Sequence, residues 1–170
     1  MNGATLIFCR KTGFKRGDKV LDVGSMDVNG TVRPNFLAAG EYVGIDMRPG
    51  KDVDRVMCAE DLPGHFKPGY FDIVVCSNAL EHMEHWKEAL MGMWLVLKDH
   101  GNLCVVTPTK EKGRHGYPSD FWRWTLEDYD AIFKDQQVMK RELLDPRGVG
   151  VVVKKITQTL NFDIEPYKVP

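Results

Sequence analysis

The chain of 170 residues lacks any long apolar run, which argues against a membrane-spanning helix. No window approaches the roughly 20 apolar residues that a span needs. The apolar stretch from Ala4 to Cys9 is also too short for the core of a signal peptide. Repeats and low-complexity segments are absent, and a hydrophobic content of 43% is ordinary for a folded protein. We therefore expect one cytoplasmic domain over residues 1–170, with a short N-terminal extension over 1–18 and an irregular tail over 161–170.

Cysteine is scarce, and basic charge is not in excess. The four cysteines are widely spaced and form no CxxC pair, which favours a reduced compartment over a disulfide framework. The 23 basic side chains are balanced by 24 acidic ones, giving a formal net charge of -1. Because no basic field is available to attract a polyanion, we expect no nucleic-acid partner, and we expect no membrane partner either.

Compact apolar runs predict a parallel sheet. Continuous apolar runs of this length are typical of strands buried on both faces. Four of them are bounded by glycine, proline or polar residues: Lys19–Val23, Tyr42–Asp46, Phe71–Ser77 and Asn102–Thr107. A weaker run, Arg55–Cys58, follows after residues 47–54, which are too few for a crossover helix. We therefore expect a loop without a helix at that connection.

Helical patterns separate these runs, and a hairpin follows them. Polar and apolar spacing predicts three helices: Asn29–Ala39, Glu84–Lys98 ended by Gly101, and one from an N-cap at Thr125 to Lys134. Val138–Leu144 and Val149–Ile156 are joined by a tight turn and so must be antiparallel. The order predicts an α/β fold with a doubly wound, mostly parallel, Rossmann-like sheet ending in an antiparallel hairpin.

Acidic residues and a glycine turn follow the first two strands. The first strand carries Asp22 and runs into Gly24, and the second strand ends at Asp46. Parallel α/β sheets bind ligands at the carboxyl ends of their strands. Gly24 allows the backbone to approach a bound molecule because it has no Cβ, and Asp46 is placed to accept from both hydroxyls of a ribose. The pattern predicts a nucleoside-binding site.

The chain resembles the class I S-adenosylmethionine-dependent methyltransferases in five segments that occur in the family's order. These segments are Val20–Ser25, Val43–Asp46, Cys58–Pro63, Phe71–His82 and Leu95–Leu103. The resemblance runs from about Lys19 to Pro108, and more loosely to Ile156. It implies the cofactor S-adenosyl-L-methionine and in-line methyl transfer to a small-molecule or carbohydrate acceptor.

The resemblance also implies the cofactor contacts. It places Asp46 on the two ribose hydroxyls and Met47 against the adenine. For the methionine part and the sulfonium, it implies contacts with Asp22, Gly24, Ser25, Ser77 and Asn78. For the adenine edge, it implies contacts with Ala59 and Glu60.

Two motifs depart from the family's pattern. Ser25 and Asp27 interrupt the glycines of the first motif, and Cys58 stands where relatives often carry an aspartate that accepts from the adenine amine. A thiol is a weak acceptor, so we expect adenine selectivity to move to Glu60 or Asp61. Residues 1–18 supply at most one helix, so closure of the site must come from elsewhere in the chain or from another subunit of a homo-oligomer.

A cluster of acids and histidines precedes the second predicted helix. His82 and His85 lie three residues apart, beside Glu81 and Glu84. A tetrahedral metal site needs three or four converging ligands, so we expect a solvated helix entrance and no metal. His82 lies on the cofactor face just past Asn78, where a general base would reach an acceptor hydroxyl.

The segment from His115 to Thr125 combines three large aromatic rings with an arginine, a histidine and an aspartate. Such clusters usually bind a ligand when exposed. We expect some rings to pack beneath the following helix and Tyr117, Trp122 and Arg123 to line the acceptor pocket. We predict His82 or His115 as the catalytic base, with Asp120 orienting the base or the acceptor.

Two alternative functions remain open at this stage. One is a protein that binds S-adenosylmethionine or S-adenosylhomocysteine without catalysis. The other is an NAD-type oxidoreductase, which is disfavoured because the turn after Val23 lacks the G-x-G-x-x-G fingerprint and because a terminal antiparallel hairpin is atypical of that class.

Overall fold

A computed structural model describes residues 3–115, 119–145 and 147–170 of the chain. Its strands are β1 (Lys19–Val23), β2 (Glu41–Asp46), β3 (Arg55–Val56), β4 (Phe71–Ser77), β5 (Leu97–Pro108), β6 (Trp122–Arg123), β7 (Gln137–Asp145), β8 (Gly148–Lys154) and β9 (Tyr167–Lys168). A seven-stranded sheet has the order β3-β2-β1-β4-β5-β8-β7. The first five of these strands pair in parallel, whereas β8 is antiparallel to both β5 and β7. The predicted fold class is confirmed; Pro146, in the predicted hairpin turn, lies outside the described residues.

The helices are short: α1 (Gly3–Cys9), α2 (Leu62–His65), α3 (Trp86–Val96) and α4 (Leu126–Ile132). The predicted N-cap of α4 is confirmed. The hydroxyl of Thr125 accepts from the backbone N–H of Asp128 at 3.2 Å, and the Asp128 carboxylate accepts from the Thr125 N–H at 2.8 Å. This reciprocal capping box satisfies two backbone donors that the helix itself leaves unpaired.

Two of the predicted helices are wrong in extent. Residues 29–39 form only a 3₁₀ helix at Arg33–Phe36, because Gly30 takes a φ of 112° and Pro34 stands at the first turn. The helix predicted over Glu84–Lys98 ends at Val96, and Gly101 does not terminate it. The chain passes directly into β5, where the ammonium of Lys98 pairs with Asp72 of β4 at 2.6 Å.

The C-terminal tail is also more regular than expected. Residues 161–170 contain β9, which pairs antiparallel with β6 in a separate two-stranded sheet. This pairing fixes the position of the aromatic segment that follows β5.

The core lies on both faces of the large sheet. Side chains such as Leu21 and Val74 pack toward Trp86 and Trp94 of α3, whereas Val20 packs on the opposite face with α1. Since side chains alternate along a strand, Asp22 faces the same side as Val20. Within the residues described, no helix has the length and apolar character needed to span a membrane.

Candidate active site

A cleft with a volume of about 660 Å³ opens where β1, β2 and β4 end. All nine residues that the sequence predicts as cofactor contacts line this cleft: Asp22, Gly24, Ser25, Asp46, Met47, Ala59, Glu60, Ser77 and Asn78. Parallel strands present their carboxyl ends at one edge of the sheet, which explains why segments so distant in sequence converge.

The turn after β1 is held against the end of β2. The backbone N–H groups of Gly24 and Ser25 both donate to the Ile45 carbonyl at 2.9 Å. Gly24 has a φ of 77°, a left-handed conformation that glycine adopts without strain. A Cβ at this position would overlap the methyl group of Ala79. Glycine is therefore required here by both conformation and space.

The connection between β2 and β3 is a loop without a helix, as predicted from its length. The hydroxyl of Ser25 donates to the Asp52 carbonyl at 3.0 Å. The carboxylate of Asp54 accepts from the N–H of Gly44 at 2.7 Å and from the guanidinium of Arg33 at 2.6 Å. These contacts tie the loop to the glycine turn and to β2.

The two strand-end acids have different environments. Asp22 is only 3% exposed, and its carboxylate accepts a 2.6 Å hydrogen bond from the Tyr42 hydroxyl. Burial raises the pKa of Asp22 to about 7, although the Tyr42 hydroxyl and the Arg33 charge partly oppose this shift. Asp46 is partly exposed and accepts from the backbone N–H of Arg48 at 3.1 Å. A carboxylate offers about four acceptor positions, so Asp46 can also accept from a ligand.

The end of β4 carries a strained residue. Asn78 has a φ of 52°, and its backbone N–H donates to the Val106 carbonyl at 2.8 Å. Asparagine tolerates this left-handed conformation better than most residues, and such strain concentrates at functional sites. The conformation turns the chain from β4 into the cleft wall that carries His82.

The prediction that the acids and histidines after β4 form a solvated helix entrance is wrong for one residue. Glu81 has no exposed surface, whereas Glu84 and His85 are exposed as expected. His82 and His115 both line the cleft, with ring centroids 5.2 Å apart. His115 comes from the loop after β5, so its proximity to His82 depends on the pairing of β4 with β5.

The aromatic segment is mostly buried. Asp120 and Arg123 form an ion pair at 2.5 Å. Asp120 is only 5% exposed and Arg123 only 2% exposed. Trp122 is 9% exposed and donates its indole N–H to the Met83 carbonyl at 2.9 Å. None of these three residues lines the cleft. The predicted acceptor-pocket role of Trp122 and Arg123 is therefore wrong, because Trp122 is held by the Met83 carbonyl and by β9, and Arg123 is buried with Asp120. Tyr117 lies outside the described residues.

Asp120 contacts His115 and does not itself line the cleft. Its Oδ2 accepts from the His115 backbone N–H at 2.7 Å and lies 3.2 Å from the imidazole Nδ1. Burial alone would raise the pKa of Asp120, but hydrogen bonds from Arg123 and His115 lower it to about 2. The carboxylate is therefore charged and fixed in position beside the imidazole.

Several cleft residues were missed from the sequence. They come from connecting segments and share no motif: Met26, Val28, Arg48, Met57, Met83, Lys112, Ser119 and Phe121. Phe121, one of the three aromatic rings of this segment, lines the cleft and is only partly buried. No local signal distinguishes it from Trp122 and Trp124, because its orientation is set by the β6–β9 pairing.

Comparison with known proteins identifies this site. The family described as Methyltransferase domain matches residues 21–105, which is half of the chain. The match runs from Leu21 in β1 to Val105 in β5 and includes most residues of the cleft. The chain belongs to this family, and it is a class I S-adenosylmethionine-dependent methyltransferase domain.

Individual proteins are similar to this chain in sequence or in structure. An uncharacterized protein of Methanocaldococcus jannaschii is 41% identical over 58 residues, a match that spans 34% of this chain and a quarter (25%) of that protein. The structure is similar to a S-adenosylmethionine-dependent methyltransferase from Aquifex aeolicus, with a TM-score of 0.66, 17% identity and 88% of each chain covered. It is also similar to the Burkholderia thailandensis 1,6-didemethyltoxoflavin-N1-methyltransferase, with a TM-score of 0.69, 12% identity, and 91% of this chain and 77% of that chain covered. At these identities the structural likeness shows the shared fold.

The residues present fit the family's cofactor, S-adenosylmethionine. The cleft volume of about 660 Å³ lies in the range of about 300–1,000 Å³ typical of small-molecule sites. Asp46 supplies an acceptor where the ribose hydroxyls of a nucleoside would lie, and Asp22 supplies an anionic group for a cationic amine. The aspartate that relatives often use for the adenine is replaced by Cys58, whose pKa is raised by partial burial and by Glu60 and Asp61, so the thiol is neutral.

Proposed function

We propose that the chain transfers the methyl group of S-adenosylmethionine to a small-molecule or carbohydrate acceptor bound beside His82 and His115. The observation that carries this proposal is the convergence of Asp22, Asp46 and both histidines on one cleft. Asp46 would hold the ribose, and the turn at Gly24 would bring backbone close to the methionine part.

Alignment is the main task of the protein in this reaction. S-adenosylmethionine supplies an electrophilic methyl group on a sulfonium. An in-line displacement requires the acceptor atom to lie on the far side of that methyl group, and correct positioning contributes much of the rate. The partly apolar wall formed by Phe121 and Met83 would exclude water from the acceptor end of the cleft.

An oxygen acceptor also needs a base to remove its proton. His82 and His115 both line the cleft, and we assign this role to one of them. Asp120 would act as a positioning residue, because it contacts the backbone and the ring of His115 but not the cleft. A neutral amine acceptor would depend less on either histidine.

The proposal is tested by incubating the protein with S-adenosylmethionine and a metabolite extract. Mass spectrometry should detect S-adenosylhomocysteine and a compound heavier by one methyl group. Binding of the cofactor without any product over a broad acceptor panel would contradict catalysis and support the binding-only alternative.

Once an acceptor is identified, histidine variants test the base. His82→Gln or His115→Gln should slow turnover at saturating cofactor by about a hundredfold. His65→Gln is the matched control, because His65 is an exposed histidine of α2 outside the cleft. If both cleft variants keep more than about a tenth of the wild-type rate, the base assignment is wrong.

A further inference from the structure

Glu81 is a fully buried acid without a hydrogen-bond partner. Its exposed fraction is 0%, and neither carboxylate oxygen has a hydrogen-bond partner among the described residues. Burying a carboxylate without compensation is strongly unfavourable. Native structures avoid this cost by providing a proton, a cationic side chain or a metal ion, so the surroundings of Glu81 indicate what its partner is.

Two imidazoles surround this carboxylate. The Nε2 atoms of His82 and His115 lie 3.8 Å and 3.7 Å from Glu81 Oε1. One ligand atom from each of the three residues lies within 4.8 Å of the other two. The two distances from Glu81 Oε1 are too long for direct hydrogen bonds but suit groups arranged around a common centre.

The opposite nitrogen of each ring is already engaged. Nδ1 of His82 contacts the Ser119 carbonyl, and because a carbonyl can only accept, that nitrogen carries the proton. Nδ1 of His115 lies 3.2 Å from the Asp120 carboxylate and 3.3 Å from a guanidinium nitrogen of Arg123, so this side of the ring is also occupied. In His82 the lone pair is then on Nε2, the ring atom that lies 3.8 Å from Glu81 Oε1. Metal-binding histidines are usually held in this way by a carbonyl or carboxylate.

We propose that Glu81, His82 and His115 form a binding site for one divalent transition-metal ion at the wall of the cleft. Two histidines and one carboxylate, with further positions open, are a ligand set for Zn²⁺ or non-haem Fe²⁺. Ligands about 2.1 Å from a tetrahedral ion are about 3.4 Å apart, so the 3.8 Å and 3.7 Å separations from Glu81 Oε1 require inward shifts of a few tenths of an ångström. The open positions face the cleft, because both histidines line it.

The sequence did not indicate this site. His82 and His85 are spaced as a pair on one helix turn. In the structure the second histidine of the cluster is His115, which lies 33 positions after His82 along the chain (115 − 82). The buried acid between them is Glu81, the residue that the sequence placed at a solvated helix entrance.

A bound ion would change the assignment of the base, and this consequence rests on the proposed methyl transfer. With both Nε2 atoms coordinated, neither histidine can accept a proton. The ion would instead bind the acceptor oxygen and lower the pKa of its hydroxyl, as metal sites do for water. The metal site itself requires neither S-adenosylmethionine nor an acceptor.

The site is tested by titrating chelator-treated protein with Co²⁺, followed by visible absorption, and by measuring Zn²⁺ content by mass spectrometry after dialysis. We expect one ion per chain. His82→Gln, His115→Gln and Glu81→Gln should each weaken Co²⁺ binding at least tenfold. His85→Gln, a change at the neighbouring exposed histidine, should leave the affinity unchanged.

Each outcome decides the proposal. Absence of stoichiometric binding by the wild-type protein would overturn it and would favour a protonated imidazole as the partner of Glu81. Equal Co²⁺ binding by His82→Gln and by the wild type would also overturn it. Because His82 is partly exposed, this variant remains informative if Glu81→Gln does not fold. Stoichiometric Co²⁺ binding by a protein that forms no methylated product would support the metal site while contradicting the proposed function.

Discussion

The hydroxyl of Tyr42 donates a 2.6 Å hydrogen bond to the carboxylate of Asp22, linking the start of β2 to the acid beside the glycine turn. Asp22 is almost fully buried, and this burial raises its pKa to about 7, opposed in part by the hydrogen bond from Tyr42 and the charge of Arg33. The acid therefore titrates near neutral pH, unlike most aspartates.

Protein stability should depend on pH through Asp22. Its pKa is raised in the folded state, so the ionised form is disfavoured there and stability is lost as pH rises from about 4 to about 7. The neutral isostere Asp22→Asn can still accept from Tyr42 but cannot ionise. Relative to this variant, the wild type should lose up to roughly 4 kcal/mol of unfolding free energy between pH 4 and pH 8. Urea unfolding of both proteins across this range measures the difference, and a difference independent of pH would refute the assigned pKa.

Cofactor affinity should depend on the same group in the opposite direction. The ammonium of the methionine part favours ionised Asp22, so S-adenosylmethionine should bind more tightly as pH rises through about 7. Binding near pH 6 should release a proton, which calorimetry in buffers of different ionisation enthalpy detects. Asp22→Asn should show a nearly flat profile. A wild-type profile equally flat from pH 5.5 to 8.5 would mean that Asp22 does not face the cationic end of the cofactor.

Gly24→Ala should destabilise the protein and abolish cofactor binding. A Cβ there meets Ala79, and the φ of 77° is unfavourable for alanine. The expected loss is about 1–3 kcal/mol from backbone strain alone, with overpacking adding to it. Thermal unfolding and cofactor titration measure the two effects.

Gly64→Ala provides the matched control for that change. Gly64 lies in α2, has open space around its Cβ position and is not in the left-handed region. Alanine favours a helix over glycine by up to about 1 kcal/mol, so this variant should be neutral or slightly more stable. Equal effects of the two substitutions would exclude a special role for Gly24.

Asp120→Asn should be strongly destabilising. The variant leaves the guanidinium of Arg123, with 2% of its side chain exposed, without its carboxylate partner. Breaking a buried pair in this way typically costs about 3–5 kcal/mol. Asp130→Asn removes an exposed pair with Arg141, in which both side chains are 44% exposed, and should cost less than about 1 kcal/mol. Chemical denaturation of both variants tests whether burial determines the difference.

The strands and the cofactor side of the cleft were predictable because their signals are local. Buried parallel strands are continuous apolar runs, and their carboxyl ends must meet, so Gly24 and Asp46 could be placed together without coordinates. The α4 cap was also readable, since Thr125 and Asp128 act within one turn.

The acceptor side could not be predicted because it depends on contacts between distant segments. Arg123 was assigned to the pocket from its residue type, but its partner Asp120 and the β6–β9 pairing bury it. The helix predicted at residues 29–39 failed because the φ of 112° at Gly30 and the position of Pro34 allow only the short 3₁₀ helix at Arg33–Phe36. The convergence of Glu81 with His115 required the register of β4 on β5.

The central claim is that this cleft holds S-adenosylmethionine through Asp46. Isothermal titration calorimetry should show saturable, one-to-one binding to the wild-type protein and no comparable binding of NAD. Asp46→Ala should weaken the affinity several-fold or more, because two charge-assisted hydrogen bonds to the ribose are lost, whereas Asp130→Ala should not change it. Failure of the wild-type protein to bind S-adenosylmethionine, or an unchanged affinity in Asp46→Ala, would contradict the account.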